Sequence, residues 1–223
     1  MIKRLLYLTS RILRADPSLV TVQARADLVR LILPVMVFGS IYGAVMGSYN
    51  GINAERLVHM LYAAVKVPIL LTVAFAISLP SFFVLNTLVG LRDDLGYCLR
   101  SLIATQAGLT IILASLAPFT ALWYLSFENY NVAILFNMAM FATASISSRI
   151  ILRRYYTPLI QRDPRHKKML NAWIFTYGFV AVQMAWVLRP FIGNPESPIS
   201  FFRQQAWSNA YVKLYEIMCN ILQ

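Results

Sequence analysis

Five long apolar runs, at 31–49, 67–91, 102–124, 132–151 and 169–188, decide which solvent this chain folds in. Each approaches or exceeds the ~20 residues that a helix rising ~1.5 Å per residue needs to cross ~30 Å of hydrocarbon. Of the 223 residues, 59% are hydrophobic and 13% charged, whereas a soluble domain carries about a quarter charged. The expected fold is all-α: a single domain over 1–223, an integral membrane bundle of five transmembrane helices. No internal repeat, low-complexity segment or Pro/Gly/Ser-rich linker divides it.

A net charge of +11 could point to nucleic acid. The basic residues sit beside the apolar runs, however, and they alternate. Counting from the N-terminus, the odd-numbered segments between runs hold fifteen Lys and Arg and the even-numbered ones four, with Lys66 at the edge of the second run. The positive-inside rule then places the N-terminus in the cytoplasm and the C-terminus outside. The richest stretch follows run four, where Arg153, Arg154, Arg165, Lys167 and Lys168 suit anionic lipid headgroups. Membrane lipids, not nucleic acid, are the expected partners.

Neither terminus reads as a further span. The apolar stretch 5–8 is too short for a signal peptide before Arg11 and Arg14 interrupt it. Ile2, Leu5, Leu6, Ile12 and Leu13 share a helical face instead, with basic residues on the rest, which suits an amphipathic helix lying in the interface. Residues 201–222 repeat apolar side chains at helical spacing and read as a second interfacial helix, with a sixth span as the alternative. Cys98 and Cys219 fall on opposite sides of this topology, so no disulfide can join them.

Within the runs, Gly39, Gly43 and Gly47 line one stripe of a helix, which lets another backbone approach closely. Pro68 suits a first helical turn and Pro80 should kink its helix. Lys66 is expected to snorkel to water from the outer boundary. Trp123, Trp173 and Trp186 fit aromatic belts. Arg92-Asp93-Asp94 reads as a solvated turn. The intramembrane polar residues Asn86, Gln106, Asn137 and Gln183 are candidate interhelical glue or a solute path. Two polar layers are expected, one with Asn86, Thr105, Gln106 and Ser145 to Ser148, the other with Asn137 and Gln183.

Chemistry is sparse. His59 and His166 are expected at opposite ends, which disfavours bis-His haem or a His-pair zinc site. There is no P-loop, dinucleotide glycine pattern or nucleophile elbow. No catalytic residue, cofactor or metal is assigned.

The stretches 67–90, 100–124 and 183–202, including the run Met184 to Phe191 (Met-Ala-Trp-Val-Leu-Arg-Pro-Phe), resemble an uncharacterised family of bacterial multi-pass inner-membrane proteins. The order of spans is also faintly similar to the five-span Yip1-domain proteins of membrane traffic. These resemblances imply a five-span, non-enzymatic protein and carry no binding residue onto this chain. The reading is a membrane scaffold or accessory subunit in a bacterial inner membrane, which packs with itself or with the spans of a protein partner. A small transporter or channel for a neutral or hydrophobic solute is the alternative. A lipid-acting enzyme would need a nucleophile–base pair that the sequence does not display.

Overall fold

A computed structural model describes residues 2–21, 25–49, 51, 54–127, 129–193 and 201–202. Cys219 and almost all of the expected C-terminal helix lie outside them. The described residues are helical almost throughout, without strands. The helices are α1 (Ile2–Leu13), α2 (Ser18–Thr21), α3 (Arg25–Gly47), α4 (Ala54–Leu88), α5 (Leu95–Ser126), α6 (Tyr130–Arg162) and α7 (Arg165–Leu188). The last five are each long and apolar enough to cross a membrane. This is the build of a multi-pass membrane protein.

The helices outrun their apolar runs. α4 begins thirteen residues before Val67, and α6 continues past Arg153 and Arg154 to Arg162. Hydropathy marks where lipid-compatible sequence stops. A helix continues while its backbone bonds and side-chain partners hold. Asn129 starts α6, its side-chain oxygen accepting from the backbone N–H groups of Asn131 and Val132. Gly90, with φ at +78°, provides the left-handed residue after α4.

α5 is the central element. It packs against α3, α6 and the short α1 and α2, while α4 bridges α3 and α7. One core cluster joins Tyr42 and Tyr49 to Leu109, Leu113 and Leu188. A second seats Ile12 and Val20 against Ala104, Ala107 and Tyr155. A third gathers Phe82, Cys98, Tyr156 and Trp173 from four different helices. We call the end of the bundle with Arg92, Arg162 and Arg165 the basic end, and the end with Tyr49 and Tyr130 the opposite end.

Gly39, Gly43 and Gly47 lie against α4. A Cβ at Gly39 would sit 3.3 Å from Pro68 Cγ, one at Gly47 would come within 2.8 Å of Met60 Cα, and one at Gly43 would strike the Ala63 carbonyl. These are contacts within the chain. Pro68 corrects an expectation: it lies fourteen residues inside α4, not in its first turn. Its missing N–H is tolerated there, and its ring is what Gly39 packs against. α4 also runs unbroken through Pro80.

Helix α1 is docked, not free. Ile12 is fully buried, with Leu8 partly buried beside it. Leu6, Tyr7 and Leu13 remain exposed. The turn after α1 is closed by Asp16, which accepts from Arg11 Nε at 2.7 Å and from the Ser18 N–H at 3.0 Å. The Arg11 guanidinium, together with those Ser18 donors, holds the Asp16 carboxyl below the usual carboxylate range.

Candidate functional site

Polar groups inside the bundle form four clusters, and the physical question for each is where its hydrogen bonds go. Near the opposite end, Asn137 of α6 accepts from the Tyr42 hydroxyl at 3.1 Å. Its amide donates to Tyr124 Oη at 2.6 Å and to the Ala133 carbonyl at 2.8 Å. Tyr124 donates in turn to the Met46 carbonyl. One amide thereby ties α3, α5 and α6. Tyr49 stacks edge-on to Tyr124 at 5.1 Å and continues the cluster toward Tyr130.

Mid-bundle, Gln106 of α5 donates to the Leu71 carbonyl of α4 at 3.2 Å and to Tyr177 Oη of α7 at 2.6 Å. The expected layers therefore do not form as such. Thr105 and Ser148 bond within their own helices, Ser145 is exposed, and Asn86 donates back to Phe82. Asn137 is partnered by tyrosines. Gln183 is half-buried in α7. Long phenol side chains reach across the interfaces, so amides on different helices need not share a level.

The third cluster corrects the reading of Lys66. It is fully buried, not snorkelling. Its ammonium donates to the Pro190 carbonyl at 2.8 Å and lies 4.8 Å from the Phe201 ring centroid. Seven residues earlier, His59 Nε2 meets the Phe191 carbonyl at 3.0 Å. Arg56 donates to the Tyr49 carbonyl at 3.4 Å. Arg56, His59 and Lys66 recur at helical spacing on the start of α4. Together they take up backbone carbonyls left at the end of α3 and just after α7. Such terminal carbonyls have no intrahelical donor, and a buried one is costly unless paired. Among the described residues no carboxylate lies within ion-pair distance of Lys66.

The fourth cluster corrects the solvated turn. Arg92 and Asp93 are exposed, but Asp94 Oδ2 lies 3.2 Å from His166 Nε2 and Asp94 Oδ1 lies 3.3 Å from an Arg162 nitrogen. His166 is fully buried. Cys98, one turn beyond Asp94, is fully buried beside the Tyr156 hydroxyl. An acid, an imidazole and a thiol thus stand at one end of the bundle, although 72 residues separate Asp94 from His166. No sequence spacing ties His166 to Asp94. Among the described residues no group of three or more His, Cys, Asp or Glu could hold a metal.

The expected headgroup residues divide. Arg153, Arg154, Lys167 and Lys168 are exposed. Arg165 is exposed too, yet it donates to the Val89 carbonyl at 2.8 Å and pairs with Asp163 at 2.7 Å. That contact, with the Arg165 backbone N–H, holds the Asp163 carboxyl at about 2. The belt reading fails for Trp173: it is buried, edge-on to Phe75 and Phe82. Trp123 stacks on Phe127 and Phe136, and Trp186 lies under the Arg189 guanidinium.

The described clusters contain helix-to-helix bonds and charge pairs. No protein-family model, no curated protein and no solved structure matches the chain.

Proposed function

We propose that the protein is a non-enzymatic scaffold or accessory subunit of a bacterial inner membrane, oriented with its N-terminus in the cytoplasm. The observation that carries this reading is how the interior polar groups are used. Asn137, Gln106, His59 and Lys66 each spend their donors or acceptors on another helix or on the chain just after α7. Such bonds fix a shape and leave little for a passing solute. The lipid-facing sides of α6 and α7, with Ile146, Phe175 and Val182 exposed, are the surface such a scaffold offers to a partner's spans or to a second copy. Fifteen basic residues facing the cytoplasm would hold the orientation against anionic lipid.

The alternative, a small transporter or channel for a neutral or hydrophobic solute, needs a path between Asn86 and Gln106. The bonds from Gln106 to Leu71 and Tyr177 stand across that path, so we favour the scaffold. Two measurements on protein purified in mild detergent separate the readings. A scaffold elutes with a membrane partner, or as an oligomer, in fixed stoichiometry. That assembly weakens when Ile146 and Phe175 are both replaced by Ala. Reconstituted vesicles that release small neutral solutes, with a monomeric protein, would contradict the scaffold.

A further inference from the structure

Toward the basic end, one wall of the bundle is apolar where its neighbour carries arginine. Contacts mark a level from which the helices can be compared. Gln106 of α5 donates to the Leu71 carbonyl of α4 and to Tyr177 of α7. At Gly108, the next-but-one residue of α5, an added Cβ would sit 2.8 Å from Ile151 Cδ1 of α6 and 3.6 Å from Ile12 Cγ2 of α1. Leu71, Tyr177, Ile151 and Ile12 therefore stand within about one helical turn of a common level.

From that level toward the basic end, charge begins at a different height on each helix. On α6 it begins at once. Arg149, Arg153 and Arg154 are exposed, and the charge-free stretch 130–148 before them is about 28 Å long. On α7 the exposed Lys168 lies about 14 Å from Tyr177 along the helix. On α4 no charged residue occurs from Val67 to Leu91, and Ile77, Phe83, Val84 and Leu88 are exposed. Leu88 lies about 26 Å beyond Leu71. Because α7 packs against both α6 and α4, the charge-free surface climbs steadily across this wall.

A hydrocarbon slab ~30 Å thick, laid square to the helices, does not fit such a wall. Set to match α6, it leaves Phe83, Val84 and Leu88 in water. Set to cover those residues, it takes Arg149, Arg153 and Arg154 into hydrocarbon, where charge is costly. Tilting is the ordinary way an overlong apolar surface is accommodated. We propose that the bundle sits at a slant, so that the headgroup plane at the basic end crosses it obliquely, low at α1 and α6 and high at α4. Acyl chains then cover α4 as far as Leu88. The arginine row of α6, with the exposed Arg14 of α1, lies along the phosphates of anionic lipid. Charge complementarity favours that occupant, since Arg149, Arg153 and Arg154 form no ion pair among the described residues.

The test places a nitroxide on Val84→Cys or Leu88→Cys of α4, and on Thr157→Cys or Gln161→Cys of α6, each in a Cys219→Ser background. The third core cluster, which joins Phe82 to Tyr156, keeps Val84 and Thr157 near one level. The full chain is reconstituted in vesicles of phosphatidylethanolamine and phosphatidylglycerol. Relaxation by oxygen, which concentrates in lipid, is compared with relaxation by a water-soluble nickel chelate. The slant predicts that oxygen dominates at both α4 positions and the chelate at both α6 positions. Chelate access at all four would overturn the proposal, because the basic end would then stand upright in water. Exclusion of both probes from the α4 positions, the mark of a protein seated there, would overturn it, as would oxygen dominance at the α6 positions. All four side chains replaced are exposed, and where one variant of a helix fails to fold the other decides.

Discussion

At the scale of single residues, Lys66 shows how a charge can lie inside an apolar bundle without a carboxylate beside it. Its ammonium is satisfied in part by the Pro190 carbonyl, which itself would otherwise lack a donor. The same exchange occurs between His59 and Phe191. Replacing Lys66 by Met should therefore leave the helices paired, since desolvation cost leaves with the charge. It should release the chain after α7. Hydrogen exchange at the Phe191 to Gly193 amides is expected to rise about tenfold, as loss of one charge-assisted bond implies, with α5 amides unchanged. Asn137 behaves differently because it serves three partners. Asn137→Leu should destabilise by ~1–2 kcal/mol, more than Tyr42→Phe, in thermal unfolding followed by circular dichroism. Neither role was legible in sequence. The sequence displays Lys66 as an edge residue beside Val67, and its acceptor lies 124 positions away. For Asn137, the expectation of a bonded intramembrane amide names no partner, because tyrosines in apolar runs read as packing.

At the scale of elements, the α3–α4 contact is set by how near two backbones can come. The three glycines are not equivalent. Ala at Gly43 would collide with backbone and at Gly47 with Met60 Cα, while at Gly39 it meets Pro68 ring atoms, the nearest at 3.3 Å. Unfolding midpoints should fall most for Gly43→Ala, then Gly47→Ala, and least for Gly39→Ala, with ~1–3 kcal/mol lost at Gly43. Gly178 has nothing within 4 Å of an added Cβ. Gly178→Ala should stabilise α7 by up to about 1 kcal/mol, as expected for a helix interior. Helix α1 is held by Asp16, whose folded carboxyl titrates below its usual value. The sign follows directly: its contribution is present above the ordinary carboxylate range near pH 4 and is lost as pH falls through the lower folded value. Protease cleavage between α1 and α3 should therefore increase below about pH 4, and Asp16→Asn should give that increase at pH 7. The five spans and the glycine stripe were readable because periodicity and hydropathy are local. The true starts of α4 and α7 were not, because charged residues ended the apolar runs while tertiary partners kept the helices going.

At the scale of the whole molecule, five antiparallel helices place two polar clusters at opposite ends. The Asp94–His166 cluster belongs to the basic end, and the Arg56–His59–Lys66 face belongs to the other. The charge asymmetry makes the basic end cytoplasmic in our account, and the sense of every partner contact depends on it. The native thiol cannot report this, since Cys98 is fully buried and a bulky reagent would not reach it from either side. The direct measurement uses introduced cysteines at two exposed positions, Ser126→Cys after α5 and Gln161→Cys near the end of α6, each in a Cys219→Ser background. A membrane-impermeant maleimide added to intact spheroplasts should label Ser126→Cys and leave Gln161→Cys unlabelled until the membrane is opened. Labelling of Gln161→Cys from outside, with Ser126→Cys protected, would contradict the account.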